Sequence, residues 1–229
     1  MSCSLSIRDL FFTWSKHSHF SLRIPNWQIQ TGEKVFLYGR SGEGKSTLLN
    51  LISGIESRYS GEIQVLGQDL AKLTQTQKDS FRANNIGIIF QQFNLLPFLS
   101  AKQNILLAQR FKNKNQTYTA QPEDLDAICE KLELSRHLLS QKAMELSVGQ
   151  QQRVAVARAL YGQPALIIAD EPTSALDTQS REQFIRLLLD SAQSSTVIFV
   201  SHDMSLASHF DQQVELAKIQ QQGSKNHVA

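Results

Sequence analysis

Gly39-Arg40-Ser41-Gly42-Glu43-Gly44-Lys45-Ser46-Thr47 follows directly on the apolar run Val35-Phe36-Leu37-Tyr38. From Gly39 to Ser46 the stretch fits G-x-x-x-x-G-K-[ST], in which a buried strand delivers the chain to a tight turn and a helix opens near Lys45. Leu48, Leu49 and Ile52 give that helix its apolar face. Glycines tolerate positive φ and leave the loop amides free to turn inward around phosphate oxygens. The helix amino terminus adds its dipole to the same concavity. Gly39, Arg40, Ser41, Gly42 and Gly44 thus form a phosphate cradle, with Lys45 assigned to the β- and γ-phosphates, Ser46 to Mg²⁺ and Thr47 to the α-phosphate of a nucleoside triphosphate. The bland alternative is a glycine-rich turn that merely starts a helix. Glu43 sets a carboxylate in a loop suited to anions; its side chain is expected to point to solvent, because the motif leaves that position open.

A second stretch, Leu166-Ile167-Ile168-Ala169-Asp170-Glu171, is an apolar strand ending in two acids. Ligands gather at the carboxyl ends of strands in open α/β sheets, and an Asp there can hold Mg²⁺ through water. Asp170 takes that role. Glu171 is the candidate general base for an attacking water, a role worth about 10²–10⁴-fold in rate. Alone, the pair would read as a turn cap and a solvated acid.

The 229 residues suffice for one α/β core, or a core with a second lobe. Hydrophobic residues make up 41%, and the mean hydropathy of −0.26 points to a soluble globular chain. The longest apolar runs, such as Val197–Val200, are strand-sized and far short of a bilayer span. No charged-then-apolar signal segment opens the chain. Cys3 and Cys129 offer no disulfide framework, which suits a reducing cytoplasm. A net charge of +2 makes no electrostatic case for nucleic acid.

Apolar and alternating runs predict strands at Leu5–Phe12, Phe20–Ile29, Val35–Tyr38, Glu62–Leu66, Ile86–Phe90, Leu166–Asp170 and Thr196–Ser201, with Ser15–Ser18 as the first turn. Helices are predicted at Thr74–Arg82, at Ser147–Tyr161, at Asp177–Ser191 and, briefly, after His202. Between Gln103 and Leu139 the pattern is helical, broken by a polar loop at Lys112–Pro122. The Gln-rich end from Lys218 is expected to fray. Buried strands alternating with helices imply a largely parallel sheet covered on both faces. No internal repeat is visible, so the chain holds one nucleotide site. His17 and His19 share one face of the first turn, but no Cys or further His joins them, and they read as exposed turn residues rather than metal ligands.

In this order, the motifs resemble those of the nucleotide-binding subunits of ATP-binding-cassette (ABC) transporters, over about residues 5 to 216. Gly39–Thr47 is similar to the Walker A motif and Leu166–Glu171 to Walker B with its catalytic Glu. Gln91 is similar to the Q-loop glutamine, Leu146-Ser147-Val148-Gly149-Gln150 to the signature L-S-G-G-Q, Ser174-Ala175-Leu176-Asp177 to the D-loop, and His202 to the switch histidine. Trp14 falls where the family has an aromatic that stacks on adenine. The resemblance implies a P-loop NTPase of α/β class. Its RecA-like, mostly parallel core would span about 4–90 and 163–217, with an amino-terminal antiparallel β subdomain, an inserted α-helical subdomain at about 91–162 and a polar tail at 218–229. It also implies ATP and Mg²⁺ as ligands, with Gln91 sensing the metal and the attacking water and His202 bonding the γ-phosphate. Two copies would sandwich two ATP molecules, each γ-phosphate met by Ser147 and Gly149 of the other copy, with Gln150 and Asp177 also among the nucleotide-binding residues. Ser147 and Gly149 start a helix, so amide donors and a positive dipole face that anion. Val148 departs from the signature; a β-branched residue does not tolerate left-handed backbone, so ordinary φ is expected there.

Phe90-Gln91-Gln92-Phe93-Asn94-Leu95-Leu96-Pro97 resembles the lipoprotein-release, macrolide-export and cell-division branch of the family. Phe93, Leu95, Leu96 and Phe98 crowd a loop suited to receive a helix of an integral membrane permease near Gln91–Ala101. Gln103-Asn104-Ile105 resembles the E-N-[VI] that follows in relatives, with Gln replacing Glu. The implied protein is a peripheral ATPase at the cytoplasmic face of the inner (plasma) membrane. Two other classes compete: a soluble ABC ATPase acting on nucleic acid or ribosomes, and a weakly catalytic, ATP-gated assembly switch suggested by Glu43 and Val148.

Overall fold

The structure is a computed structural model that describes residues 2–15, 20–107 and 122–220, the side chains of 122–124 excepted. In chain order its elements begin with β1 (Cys3–Thr13), β2 (Ser21–Gln30), β3 (Lys34–Tyr38), α1 (Lys45–Ile52), β4 (Ser60–Val65) and β5 (Gln68–Asp69). Next come α2 (Gln75–Asn85), β6 (Ile86–Ile89), α3 (Ala101–Ile105), α4 (Pro122–Lys131), α5 (Arg136–Ser140) and α6 (Val148–Leu160). The chain closes with β7 (Leu166–Asp170), α7 (Thr178–Ser191), β8 (Thr196–Val200), β9 (Gln212–Glu215) and α8 (Leu216–Ile219). Short 3-10 turns lie at Leu70–Lys72, Ala143–Glu145 and Met204–His209.

Two sheets result. One is antiparallel in the order β2-β1-β4-β5; the other is β6-β7-β8-β3-β9, parallel at every pairing. The parallel sheet is buried on both faces, and its side chains divide strictly by alternation. Phe36, Ile167, Ala169, Val197 and Phe199 join the cluster shared with α6 and α7, whereas Val35, Leu37, Leu166, Ile168, Ile198 and Val200 join the one shared with α1 and the antiparallel sheet. Near-continuous apolar strands are what such two-sided burial selects. A hydroxyl pair also ties the sheets together: Ser4 Oγ and Thr196 Oγ1 lie 2.8 Å apart, both fully buried, and Thr196 also accepts the Gly32 N–H at 2.9 Å.

Three helices open on the same reciprocal device. Thr74 with Gln77, Ser100 with Gln103, and Ser147 with Gln150 each form a capping box, satisfying two amides that the first turn leaves without partners. Gln103 therefore does as an amide what a Glu would do there. Packing is tightest where α6 crosses β6. A Cβ on Gly87 would sit 2.3 Å from the Ala159 carbonyl oxygen, so only hydrogen fits between strand and helix.

Several expectations change. β5 and β9 were not foreseen, since Gln-Asp and Gln-Gln-Val-Glu lack apolar alternation; β9 needs little, being an edge strand paired only to β3. Lys218 lies in α8, docked by buried Leu216, and the expected frayed end beyond 220 lies outside the described residues. Pro122 opens α4 instead of closing a loop, and a first-turn Pro sacrifices no helix hydrogen bond; the rest of Lys112–Pro122 lies outside the described residues, as do His17 and His19. Ser147 and Asp177 stand just before their helices as caps, and Leu66 leaves β4 with φ of 51°.

Candidate active site

The carboxyl ends of β3, β7 and β8 lie level, because Leu37 and Asp170 both register with Val200. Whatever follows these strands is thereby delivered to one place. After β3 the chain turns through Gly42 (φ 80°) and Gly44 (φ 103°) into α1. Gly44 is constrained twice, since a Cβ there would also strike the Phe20 ring at 2.6 Å. Lys45 is buried and folds back over the loop, donating to the Gly39 and Arg40 carbonyls at 2.9 and 3.0 Å. Glu43 does not reach for solvent as expected. Its Oε2 accepts the Arg40 N–H at 2.8 Å, its own N–H returns to the Arg40 carbonyl at 3.3 Å, and its carbonyl accepts from Gln220 Nε2 at 3.1 Å. The carboxylate fastens the loop from behind, because an amide left over by the tight turn is a nearer partner than water.

After β7, Glu171 adopts φ of 46°, a left-handed backbone for a residue with a side chain, and its N–H bonds the Val200 carbonyl at 3.0 Å. Strain of this kind persists only where its surroundings over-determine it, and it clusters at functional sites. The carboxylate lies between two nitrogens: Oε1 is 3.8 Å from Lys45 Nζ and Oε2 is 3.2 Å from His202 Nδ1. Gln91 Nε2 donates to Ser174 Oγ at 3.1 Å, and the Ser174 N–H bonds the Glu171 carbonyl at 3.2 Å. Arg181 on α7 donates to the Leu176 carbonyl at 2.8 Å and to Asp203 Oδ2 at 2.6 Å, joining the segments after β7 and β8. Among the described residues no cluster of three or more His, Cys, Asp or Glu is arranged for a metal.

A cleft of about 430 Å³ is lined by Trp14, Phe20, Ser41, Gly42, Gly44, Lys45, Ser46, Thr47, Gln91, Asp170 and Glu171, with the Phe20 ring close to Gly44. Ten of its lining residues were legible in the sequence; Phe20 was not, although an aromatic opening the strand after Trp14's turn was the available signal. Gly39 and Arg40 border a second hollow with His202, Met204 and Glu215. Ser147, Gly149, Gln150 and Asp177 line neither. Ser147 and Gln150 bond each other, and Asp177 accepts the Ser180 N–H and hydroxyl at 3.0 and 2.7 Å. Val148 begins α6 with ordinary helical backbone, over half exposed, and nothing lies within 4 Å of where a Gly149 Cβ would be. The apolar loop divides: Phe93 is buried, Leu95 packs on the core, and Phe98 is 66% exposed beside the equally exposed Met144. Phe93, with φ of 56°, is thus packed inside rather than presented by the loop, while Phe98 stays outward.

Burial pushes the Asp170 carboxyl above its ordinary range; the Ser46 hydroxyl draws it back, the Glu171 charge raises it and Lys45 lowers it. A carboxyl raised in the folded state binds its proton more tightly there than in the unfolded chain. Its ionisation therefore costs stability as pH climbs from the ordinary Asp range through the folded-state value. Asp170→Asn should raise the melting temperature of the ligand-free protein at pH 7 by a few degrees, with the gain vanishing below pH of about 4. Thermal melts at the two pH values check this, and an equal or lower Tm at pH 7 would contradict it.

A glycine cradle between strand and helix, with buried Lys45 beneath it and an acid at the end of a strand once removed, defines a P-loop nucleoside-triphosphatase. Within that class the chain belongs to the ABC transporter family, whose pattern it matches over residues 22–174, and it is an ABC-type ATPase domain. It is 38% identical over 191 residues to MJ0796, an uncharacterised ABC transporter ATP-binding protein of Methanocaldococcus jannaschii, covering 82% of this chain and 81% of that one. The dimeric MJ0796 cassette bound to ADP and Pi superposes with a TM-score of 0.75 at 32% identity, over 92% of this chain and 93% of the other. A putative ABC transporter ATP-binding protein of Mycoplasma genitalium, MG467, is 41% identical over 181 residues, 78% of this chain and 57% of its own length. The macrolide export ATP-binding/permease protein MacB of Syntrophobacter fumaroxidans is 38% identical over 188 residues, 81% of this chain. The chain spans 26% of MacB, and this likeness agrees with the branch suggested by Phe90–Pro97.

Proposed function

We propose that this chain is the ATP-hydrolysing subunit of a membrane transport complex, closing as a dimer around two ATP molecules to drive a separate permease. One observation carries the reading: Lys45, Ser46, Asp170 and Glu171 converge in a single cleft that also has the rings of Trp14 and Phe20 in its wall. Such a cleft suits a ligand that carries both a planar ring and phosphates. Trp14 and Phe20 would stack the adenine, and the amides from Ser41 to Thr47 with the Lys45 ammonium would hold the phosphates. Ser46 and Asp170 are hard oxygen donors that hydrogen-bond each other, and burial disfavours the ionised Asp170 despite the nearby Lys45 charge, a donor set that fits Mg²⁺. The metal would there offset phosphate charge. Glu171 would take a proton from the attacking water as its oxygen bonds the γ-phosphorus and the bond to the bridging oxygen breaks, releasing ADP. His202, already bonded to Glu171, would pass to the γ-phosphate, and Gln91 would orient the water and metal.

Ser147, Gly149, Gln150 and Asp177 stand outside the cleft of their own chain, so their roles require a second copy that presents the α6 amino terminus to the γ-phosphate. The helical segment 91–162 would form the lobe that carries that helix. None of the helices among the described residues is long and apolar enough to cross a membrane. The permease would dock near Gln91–Ala101, where exposed Phe98 and Met144 adjoin, setting this subunit at the cytoplasmic face of the inner membrane. Its cargo class would be a lipid, lipoprotein or hydrophobic compound, or force itself. The sandwich is tested by light scattering in the Glu171→Gln background: ATP should produce dimers, and adding Ser147→Arg should return them to monomers while monomer affinity for a fluorescent ATP analogue shifts less than about threefold. Dimers that survive Ser147→Arg, or none before it, would refute the sandwich.

A further inference from the structure

Arg158 lies on α6, the helix whose start carries Ser147, and its guanidinium reaches across to the loop after Gln91. Nη1 donates to the Asn94 carbonyl at 2.8 Å and Nη2 to the Phe93 carbonyl at 2.5 Å. Those two residues are consecutive, and both have left-handed backbone, φ 56° at Phe93 and 47° at Asn94. Two successive left-handed residues with side chains, one of them a phenylalanine, are strained, and glycine is the residue that adopts such angles freely. The turn's own bonds are short-range: the Phe93 N–H reaches the Phe90 carbonyl at 2.9 Å and the Asn94 N–H the Gln92 carbonyl at 2.6 Å. The first of these closes the turn around Gln91 and the second lies just after it.

Beyond the turn the loop is separately secured. Asn104, fully buried, accepts the Leu96 N–H and donates to the carbonyls of Leu96, Leu99 and Ser100. Only Arg158 among these side chains grips the strained pair. No carboxylate among the described residues pairs with the guanidinium, burial pushes its pKa down, and the two carbonyls accept its hydrogens at the edge of solvent. A rigid planar fork suits two neighbouring carbonyls better than a lysine's single point of donation. The same side chain lines a cleft of about 450 Å³ with Arg82, Ile86, Ile88 and Leu107.

We infer that Arg158 is a positioning residue for hydrolysis: by clamping Phe93 and Asn94 in left-handed backbone it aims Gln91 into the nucleotide cleft and makes that aim depend on where α6 stands. This rests on the ATPase reading above. A tilt of α6 would pull the carbonyls with it, so the helix that meets the second copy's nucleotide would also set the glutamine of its own site.

The experiment compares wild type, Arg158→Gln, Asn94→Gly and the double variant, by ATP turnover and by amide hydrogen exchange. Arg158→Gln should lower kcat about tenfold while the ATP dissociation constant stays within about twofold, because sub-ångström misplacement costs rate rather than ground-state binding. It should also speed exchange at the Phe93 and Asn94 amides. Asn94→Gly supplies a residue that takes the left-handed angle without restraint, so the double variant should recover kcat to within about threefold of wild type. A merely structural Arg158 would show no such rescue. If Arg158→Gln does not fold, Arg158→Lys, which keeps charge but loses the fork, is read the same way. Unchanged kcat and exchange, or a loss of kcat that Asn94→Gly does not repair, would overturn the clamp. A wild type without turnover would instead sink the ATPase reading, and the exchange arm would still decide whether Arg158 holds the turn.

Discussion

Glu171→Gln should lower ATP turnover by about 10²–10⁴-fold, the range associated with loss of a general base. The substitution is nearly isosteric, so the carbonyl oxygen of the new amide can still accept from His202 and the strained backbone at φ 46° keeps its bond to the Val200 carbonyl. What disappears is the ability to take a proton. The negative charge 3.8 Å from Lys45 goes as well, which frees the ammonium for phosphate and should leave nucleotide affinity equal or higher. Steady-state phosphate release and equilibrium binding of a fluorescent ATP analogue separate the two effects. A variant that turns over at the wild-type rate would remove Glu171 from the chemistry, and one that fails to bind would show that its charge holds the loop together.

Phe199→Ala should cost about 3–5 kcal/mol of stability. Phe199 is fully buried on β8, in register with Phe36 on the neighbouring β3, stacked on it at 6.2 Å and tilted against Phe210 at 5.2 Å, while Phe36 and Phe210 meet at 5.4 Å. Removing one ring strips both others of a partner and leaves a cavity that a sheet fixed on both sides cannot close. With a total stability of about 5–15 kcal/mol for a domain, that loss is a large share. At about 2–4 °C per kcal/mol for a chain of this size, the melting temperature should fall by roughly 10 °C. Urea titration followed by far-UV circular dichroism measures it. The next residue on β8, Val200, receives the Glu171 N–H, so activity should fall at temperatures well below the new midpoint. A cost under about 1 kcal/mol would mean that the trio is not packed as described.

Where a feature is written in contiguous residues, it was legible. The cradle from Gly39 to Thr47 is a local backbone solution, and the residues that build it sit side by side, so spacing alone reports it. The two-sided sheet was legible for a related reason: a strand buried on both faces must be apolar at every position, and Val35–Tyr38, Leu166–Ala169 and Val197–Val200 are. Partnership across the fold left weaker marks. Glu43 looked like an exposed carboxylate because nothing near it in sequence announces that the Arg40 amide needs an acceptor. Phe93 looked like a docking residue because a left-handed turn that rotates it inward has no glycine to signal it. β9 was missed because an edge strand makes few demands on composition.

The amino-acid sequence by itself determined the chemistry available to this ABC ATPase: a phosphate loop, an acid pair at a strand end and a histidine after the next strand. Each is written in a few consecutive residues. Tertiary structure alone decided that Glu171 lies between Lys45 and His202, that Arg158 grips the turn after Gln91, and that Ser147 and Asp177 stand apart from the cleft of their own chain. Those arrangements depend on how β7, β8 and α6 register against one another, and register is set by packing between residues far apart in the chain, which local periodicity does not encode.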